Sequence, residues 1–495
     1  GDGDGDGDAL GSGGSSVGGA GGSNSGGGAS GGTGGSLPDG GDFVSTGSSY
    51  VVLGHSEMPG AIPQEISVVD VVADTVHELF KSDRYLEFSL SPNGEYLAFS
   101  GGRASSSGSL RYSKFSENGF TKGELVPGFN EGEGSFDHLA WSADSRYLTA
   151  AGRFQIEFVD MPEGVRLASL APPSDAPSFS ASFAPQGYGF LLLTGDTSAT
   201  RRASHCQILE SGVRPCVSLP STTYTFPLVS DGTGVFYVNN TGTPFPAFDQ
   251  FSDSATTNLA NDAPGETTRS VLGDLSPASV LAVQVLEDDN QVIRRFYRDG
   301  RASELLTDSS LFSFGVPELS PSEGWMILTY RDPVSDEGSV ELVLEDGTRV
   351  PVATASGAIW GGVHARHGIV YGSELGMRIF NYSRSTLNSL DLPDVTSTTC
   401  VGSGRAPDDR LVVRVDDVAF VLVNLEGDVP TIANTLEPSL GKLSCPVFSL
   451  DGESFAFSDV DMNVYHVDWP SSGPTEPQLI YSNAAIDRIS ILAVR

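Results

Sequence analysis

The sequence has no run of about 18 apolar residues, so no segment reads as a membrane-spanning helix. Lysine is nearly missing. Lys81, Lys114, Lys122 and Lys442 stand alone among 28 basic residues, and 63 acidic residues give a formal net charge of −35. Such a surface repels phosphate backbones and anionic lipid, which argues against nucleic acid and leaves cationic partners or divalent ions. Helical periodicity is lacking throughout. Residues 1–45 also lack anything that can pack.

That first stretch, GDGDGDGDALGSGGSSVGGAGGSNSGGG and onward, is glycine and serine with scattered aspartate. Ordering it would cost backbone entropy with no burial in return, so residues 1–45 read as a disordered tether. Its root-mean-square reach is about 35–40 Å. Asp2, Asp4 and Asp6 imitate the start of a calcium loop, but Gly13 stands where the closing glutamate belongs. GSSVG at 14–18 and GASGG at 28–32 satisfy G-x-S-x-G without the strand and helix that a nucleophile elbow needs.

From residue 46 to 495 short segments rich in Val, Leu, Phe and Tyr alternate with Gly, Asp, Asn, Ser and Pro, the pattern of strands joined by tight turns. LSPNGEYLAFSGG at 90–102 is echoed by WSADSRYLTAAG at 141–152, FAPQGYGFLLLTG at 183–195 and FSLDGESFAFSD at 448–459. The residue opening each turn is Ser91, Ser142, Ala184, Ser230, Ser276, Ser320, Ala365, Ala406 and Ser449, in steps of 41 to 51 residues. A strand-built period of 40–50 residues predicts propeller blades. Each period divides into four strands, as in YLEFSL, EYLAFSG and their successors. The fold expected is therefore all-β: a single β-propeller of four-stranded antiparallel blades. YVVLG, EISVVDVV and TVHELF at the start lack an inner strand, and RISILAVR at the end lacks partners, so the two termini are expected to share a blade and close the ring. The count is then ten, with eight or nine blades, or two five-bladed rings, as alternatives.

Four cysteines fit this frame. Cys206 and Cys216 bracket a hairpin, so they would join the third and fourth strands of one blade. Cys400 and Cys445 lie 45 residues apart, one period, so they would tie neighbouring blades. Two disulfides imply an exported protein: periplasmic, outer-membrane-tethered or extracellular. Buried free thiols are the alternative. No signal peptide precedes the tether, so the chain is expected to begin after processing.

LSPNGEYLAFSG, WSADSRYLTAAG and FSLDGESFAFSD resemble the F-S-P-D-G-x-x-L-A-F repeats of TolB-like, WD40-like (PD40-type) bacterial propellers, over nearly all the chain after residue 46. The resemblance implies the fold and no particular activity. VSDGTGVFY and VHARHGIVY depart from the motif, and TolB's N-terminal α/β domain has no counterpart here, so the Pal-binding role is not carried over. The Gly/Ser tether resembles the spacer after the lipid-bearing cysteine of bacterial surface lipoproteins, which implies a lipid anchor upstream of residue 1.

Propellers carry function in the channel and face loops. No residues remain for a hydrolase domain, and neither sialidase Asp boxes nor kelch glycine pairs recur. Trp360 beside Gly361 and Gly362, with His364 and Arg366, are candidates for a face or channel contact, or for blade packing. Asp459, Asp461 and Asn463 alternate along a turn in a spacing that can hold calcium, or that forms an Asx turn. No other cofactor is expected. The function expected is a non-catalytic scaffold binding a protein or cell-envelope polymer. A glycan- or polymer-acting enzyme using carboxylates from several blades is the alternative, and a self-assembling structural component the third.

Overall fold

The computed structural model describes residues 43–45, 49–56, 64–82, 86–101, 109–116, 119–126, 128–130, 132, 136–152 and 155–170. Between 178 and 401 it describes the strands, with residues 259, 298–299 and 348. It then describes 410–425, 429–449, 451–470, 472–483, 486 and 488–494. Among these residues there is no helix, and the strands form ten antiparallel sheets. The fold is a β-propeller.

Nine sheets follow the chain in order, each starting at its inner strand. Blade 2 starts at Leu86–Leu90, blade 3 at His138–Trp141, blade 4 at Ser178–Phe183 and blade 5 at Val229–Ser230. Blades 6 to 10 start at Thr267–Leu272, Glu318–Leu319, Trp360–His364, Thr398–Val401 and Val447–Phe448. Blade 1 is composite. Its strands Tyr50–Ser56, Glu65–Asp70 and Thr75–Lys81 take their inner neighbour, Arg488–Val494, from the other end of the chain.

Alternation explains why these sheets must stack. In blade 3 the middle strands Tyr147–Ala151 and Ile156–Asp160 are buried along their whole length, on both faces. Outer strands such as Val165–Leu170 and Thr431–Leu436 meet solvent, while the inner strand Leu86–Leu90 is mostly half-buried. One apolar cluster joins blades 1 and 2 through Tyr50, Ile66, Leu86 and Phe99. Another joins blades 2 and 3 through Tyr96, Leu110, Leu148 and Trp141. Comparable clusters join blades 3 and 4, 8 and 9, 9 and 10, and 10 and 1. Packing therefore runs without a break from blade 8 through the termini to blade 4.

The repeated turn has one chemistry. Ser142 Oγ donates to Asp144 Oδ1 at 2.6 Å and accepts from the Tyr147 amide at 2.8 Å, while Asp144 Oδ1 also accepts from the Arg146 amide at 3.1 Å. Ser91 with Asn93, and Ser449 with Asp451, repeat these bonds at 2.6–3.0 Å. The fourth turn residue has positive φ: Gly94 at 71°, Ser145 at 66° and Gly452 at 70°. Glycine accepts that conformation at little cost. Ser145 stands there in blade 3 instead, and its Oγ accepts from the Asn93 amide of the neighbouring blade at 2.9 Å. Trp141 Nε1 donates to the Ser89 carbonyl at 3.0 Å across the same interface.

The first described strand, Phe43–Ser45, lies three residues before the boundary expected at 46. Phe43–Ser45 pairs with Gly119–Thr121 at the outer edge of blade 2, and Val44 packs with Tyr50, Phe115 and Phe120. Apolar contact and a free sheet edge are what fix these residues.

Replacing Ser142, which is fully buried, by alanine leaves the Tyr147 amide and the Asp144 carboxylate without their shared partner. The expected loss is about 1–3 kcal/mol. Urea unfolding of the two proteins, compared at equal m-value, measures it.

Candidate functional site

The inner strands of blades 2 and 3 bring carboxyl groups together. Leu86, Phe88 and Leu90 pack toward blade 1, so the intervening Glu87 turns to the opposite face, toward blade 3. Across that interface Asp137 enters the first strand of blade 3, its amide bonded to the Ala151 carbonyl at 3.0 Å. Glu87 is opposite Ser100, whose buried hydroxyl accepts the Phe136 amide at 3.2 Å. Burial, reinforced by the negative charge of Asp137, pushes the Glu87 carboxyl up to about 7. His138 follows directly and is opposite Ala151, whose side chain packs toward blade 4. Burial lowers its pKa, and Asp137 partly opposes that shift. The interface thus holds one carboxyl that is protonated over much of the range below neutrality, beside a second carboxylate.

Repeat alignment contained a signal for this site: Glu87 and His138 both stand four residues before the serine that opens the turn. Only the strand parity and blade contacts show that Glu87 meets Asp137.

A serine, a histidine and a glutamate converge in blade 1 as well. Ser67 Oγ lies 3.0 Å from His55 Nε2, and Glu65 Oε1 lies 3.3 Å from the same nitrogen. In a nucleophilic triad the acid holds the other ring nitrogen. His55 and Ser67 are buried, and Lys81 Nζ closes on Glu65 at 2.8 Å, so this network holds three strands in register. Glu157 and Arg166 form a related structural pair in blade 3, with Ser169 donating to Glu157 at 2.7 Å. Glu341 and Arg349 repeat it in blade 7.

Trp360 and His364 are the first and last residues of the inner strand of blade 8, opposite Gly372 and Gly368, which places their backbone at the channel side. Their side chains, and Arg366 entirely, lie outside the described residues. Cys206 and Cys216 are bonded between the third and fourth strands of blade 4, with Cα atoms 4.4 Å apart. Cys445 is also disulfide-bonded, and the side chain of Cys400 lies outside the described residues.

Asp459 is nearly buried and accepts four bonds: from the Asp461 and Asn463 amides at 2.9 Å each, from Asn463 Nδ2 at 2.8 Å and from the Tyr465 hydroxyl at 3.1 Å. This is an Asx turn, and a cation would compete with those four donors. Among the described residues no group of three or more His, Cys, Asp or Glu side chains converges as a metal centre.

No family model and no curated protein matches the chain. Solved structures do. A eukaryotic initiation factor superposes with a TM-score of 0.51 at 12% identity, over 78% of this chain and 96% of that one. The β-propeller domain of Cps50 (Swd1) from Myceliophteria thermophila gives 0.33 at 11%, over 76% and 95%. BamB from Moraxella catarrhalis gives 0.38 at 14%, over 66% and 92%. At these identities the likeness concerns the fold.

Glu87 carries a pH dependence with a definite sign. Its folded-state pKa lies above the ordinary value of 4.5, so the native chain holds a proton that the unfolded chain has released. The stabilisation is complete below about pH 4.5 and is lost as pH rises through about 7. Glu87→Gln keeps the neutral form at all pH. Thermal melts from pH 5 to pH 8 should show the two proteins converging at pH 5 and the variant melting higher at pH 8. Parallel curves would remove Glu87 as the source.

Proposed function

We propose that the chain is a non-catalytic propeller scaffold, exported and surface-tethered, that binds a protein or cell-envelope partner. The observation that carries this reading is the frame itself. Blades 8 through 4 pack continuously across the joined termini, giving a rigid support whose turns stand out to solvent. Rigid supports bind without paying an ordering cost at the interface. The Cys206–Cys216 bond supports export, and the glycine-rich tether supports a lipid anchor upstream of residue 1 of the kind found in surface lipoproteins, consistent with a TolB-like origin of the repeat.

Glu87 and Asp137 favour a second reading, an enzyme acting on a glycan or other polymer. A carboxyl whose affinity for its proton is raised by burial beside a second acidic side chain is the arrangement a general acid requires.

The two readings separate in one assay. Immobilised full-length protein is exposed to purified envelope glycan and to fractionated envelope protein, with mass spectrometry of the flow-through. Saturable binding with unchanged glycan mass supports the scaffold. Cleavage that disappears in Glu87→Gln and Asp137→Asn supports the enzyme. Neither binding nor cleavage overturns both.

A further inference from the structure

The propeller's two faces can be told apart by connectivity. Each inner strand runs into the serine-capped turn, each second strand returns, and the turn between third and fourth strands lies on the same face as the serine-capped turns. The parallel bridge between Ser449, which opens such a turn, and Val494, at the end of the closing strand, places the 71–74 turn of blade 1 on that face too, since the Val71 amide bonds the Ser49 carbonyl beside it.

Among the described residues the large exposed aliphatics divide unevenly between the faces. Val72, Val76, Val165, Val429, Ile432 and Leu479, exposed by 45–70%, all lie before or within the first two residues of a fourth strand, at the outer rim of the serine-turn face. Five of the six belong to blades 9, 10 and 1, which the apolar clusters make consecutive. Among the described residues, Val418 and Val460 alone lie on the other face, in turns between second and third strands. Val76, Ile432 and Leu479 each stand second in a fourth strand, so three adjacent blades present exposed aliphatics at one height of the same face.

Its surroundings select the occupant. Inside the rim, on the same face, the turn tip of blade 10 presents exposed Asp451 and Glu453, and in blade 1 Asp74 stands exposed between Val72 and Val76. Residues 71–79, 429–436 and 472–480 contain no lysine or arginine. A second copy of this chain would bring the same carboxylates against themselves, and an anionic lipid surface would be repelled by them. A segment carrying both basic and aliphatic side chains complements both parts of the face.

We infer that the serine-turn face of blades 9, 10 and 1 docks a basic, aliphatic-bearing polypeptide segment, with the valine, isoleucine and leucine rim as its apolar contact and the turn carboxylates as its electrostatic guide. This deepens the scaffold reading and rests on it.

The probe is a fluorescent 14-residue peptide of alternating leucine and lysine. Two controls accompany it, one with serine for leucine and one with glutamate for lysine. Full-length wild type is compared with Val72→Ser/Val76→Ser/Ile432→Ser/Leu479→Ser, and with Val418→Ser/Val460→Ser on the opposite face. At 0.15 M salt the rim variant should bind the leucine–lysine peptide on the order of tenfold more weakly, with the opposite-face variant unchanged and both control peptides weak. Equal affinity of wild type and rim variant overturns the site, as does equal loss in both variants. A rim variant altered only in self-association by sedimentation, or only in binding to phosphatidylglycerol vesicles, overturns it too. Hydroxyl-radical footprinting of wild type with the peptide supplies a readout independent of the variants' folding: protection of 72–76, 429–432 and 479 is expected, and protection elsewhere contradicts. Failure at the rim with envelope binding intact would leave the scaffold reading standing.

Discussion

Everything in this propeller depends on one pairing, that of Arg488–Val494 with Tyr50–Ser56. A four-stranded blade buries its middle strands only when a neighbour covers each face, so a row of blades always leaves two uncovered ends. Joining the first and last strands in blade 1 removes those ends and uses the closing strand's edge in the same act. Val51 and Leu53 of the first segment are buried with Val464 and Ala456 of the last blade and Val494 of the last strand. The residues most distant in sequence are therefore buried together, so ring closure carries the largest loop-closure cost in the chain.

Repetition made much of this legible before any coordinates. The Ser-x-Asx-Gly turn recurs because its hydrogen bonds are local: serine and the Asx two residues on satisfy the turn amides whatever surrounds them. Such a motif survives in sequence as punctuation, and counting it gives the blades. The hairpin cysteines could be read for the same reason, since Cys206 and Cys216 bracket a turn. What sequence did not show depends on which side chains of different blades face each other. Glu87 acquires its meaning from Asp137, fifty residues away, through strand parity and the angle between blades. Phe43–Ser45 reads as tether, and becomes a strand because blade 2 has an open edge beside it. The exposed aliphatics look like ordinary strand residues until their height on the fourth strand is known.

The buried charges and the exposed ones perform different work. Glu157 with Arg166, Glu341 with Arg349, and Glu65 with His55 and Lys81 each sit where a third strand meets a fourth, and each is paired where it is buried. They fix register in strands whose outer side is wet. The carboxylates at the turn tips build the turns, Asp144 and Asp451 each accepting from a serine hydroxyl and a turn amide, and their exposed side lies on the face that carries the aliphatic rim. The Glu87 and Asp137 pair belongs to neither class, which is why it alone supports a reading in which the channel side does chemistry.

Native-state hydrogen exchange resolved by residue tests the closure directly. If the joined termini hold the ring, the amides of Arg488–Val494 and Tyr50–Ser56 exchange together, in the slowest class, with the protection of the middle strands of blades 2, 3 and 10. Exchange of 488–494 at the rate of a fraying terminus, while those middle strands stay protected, would contradict it.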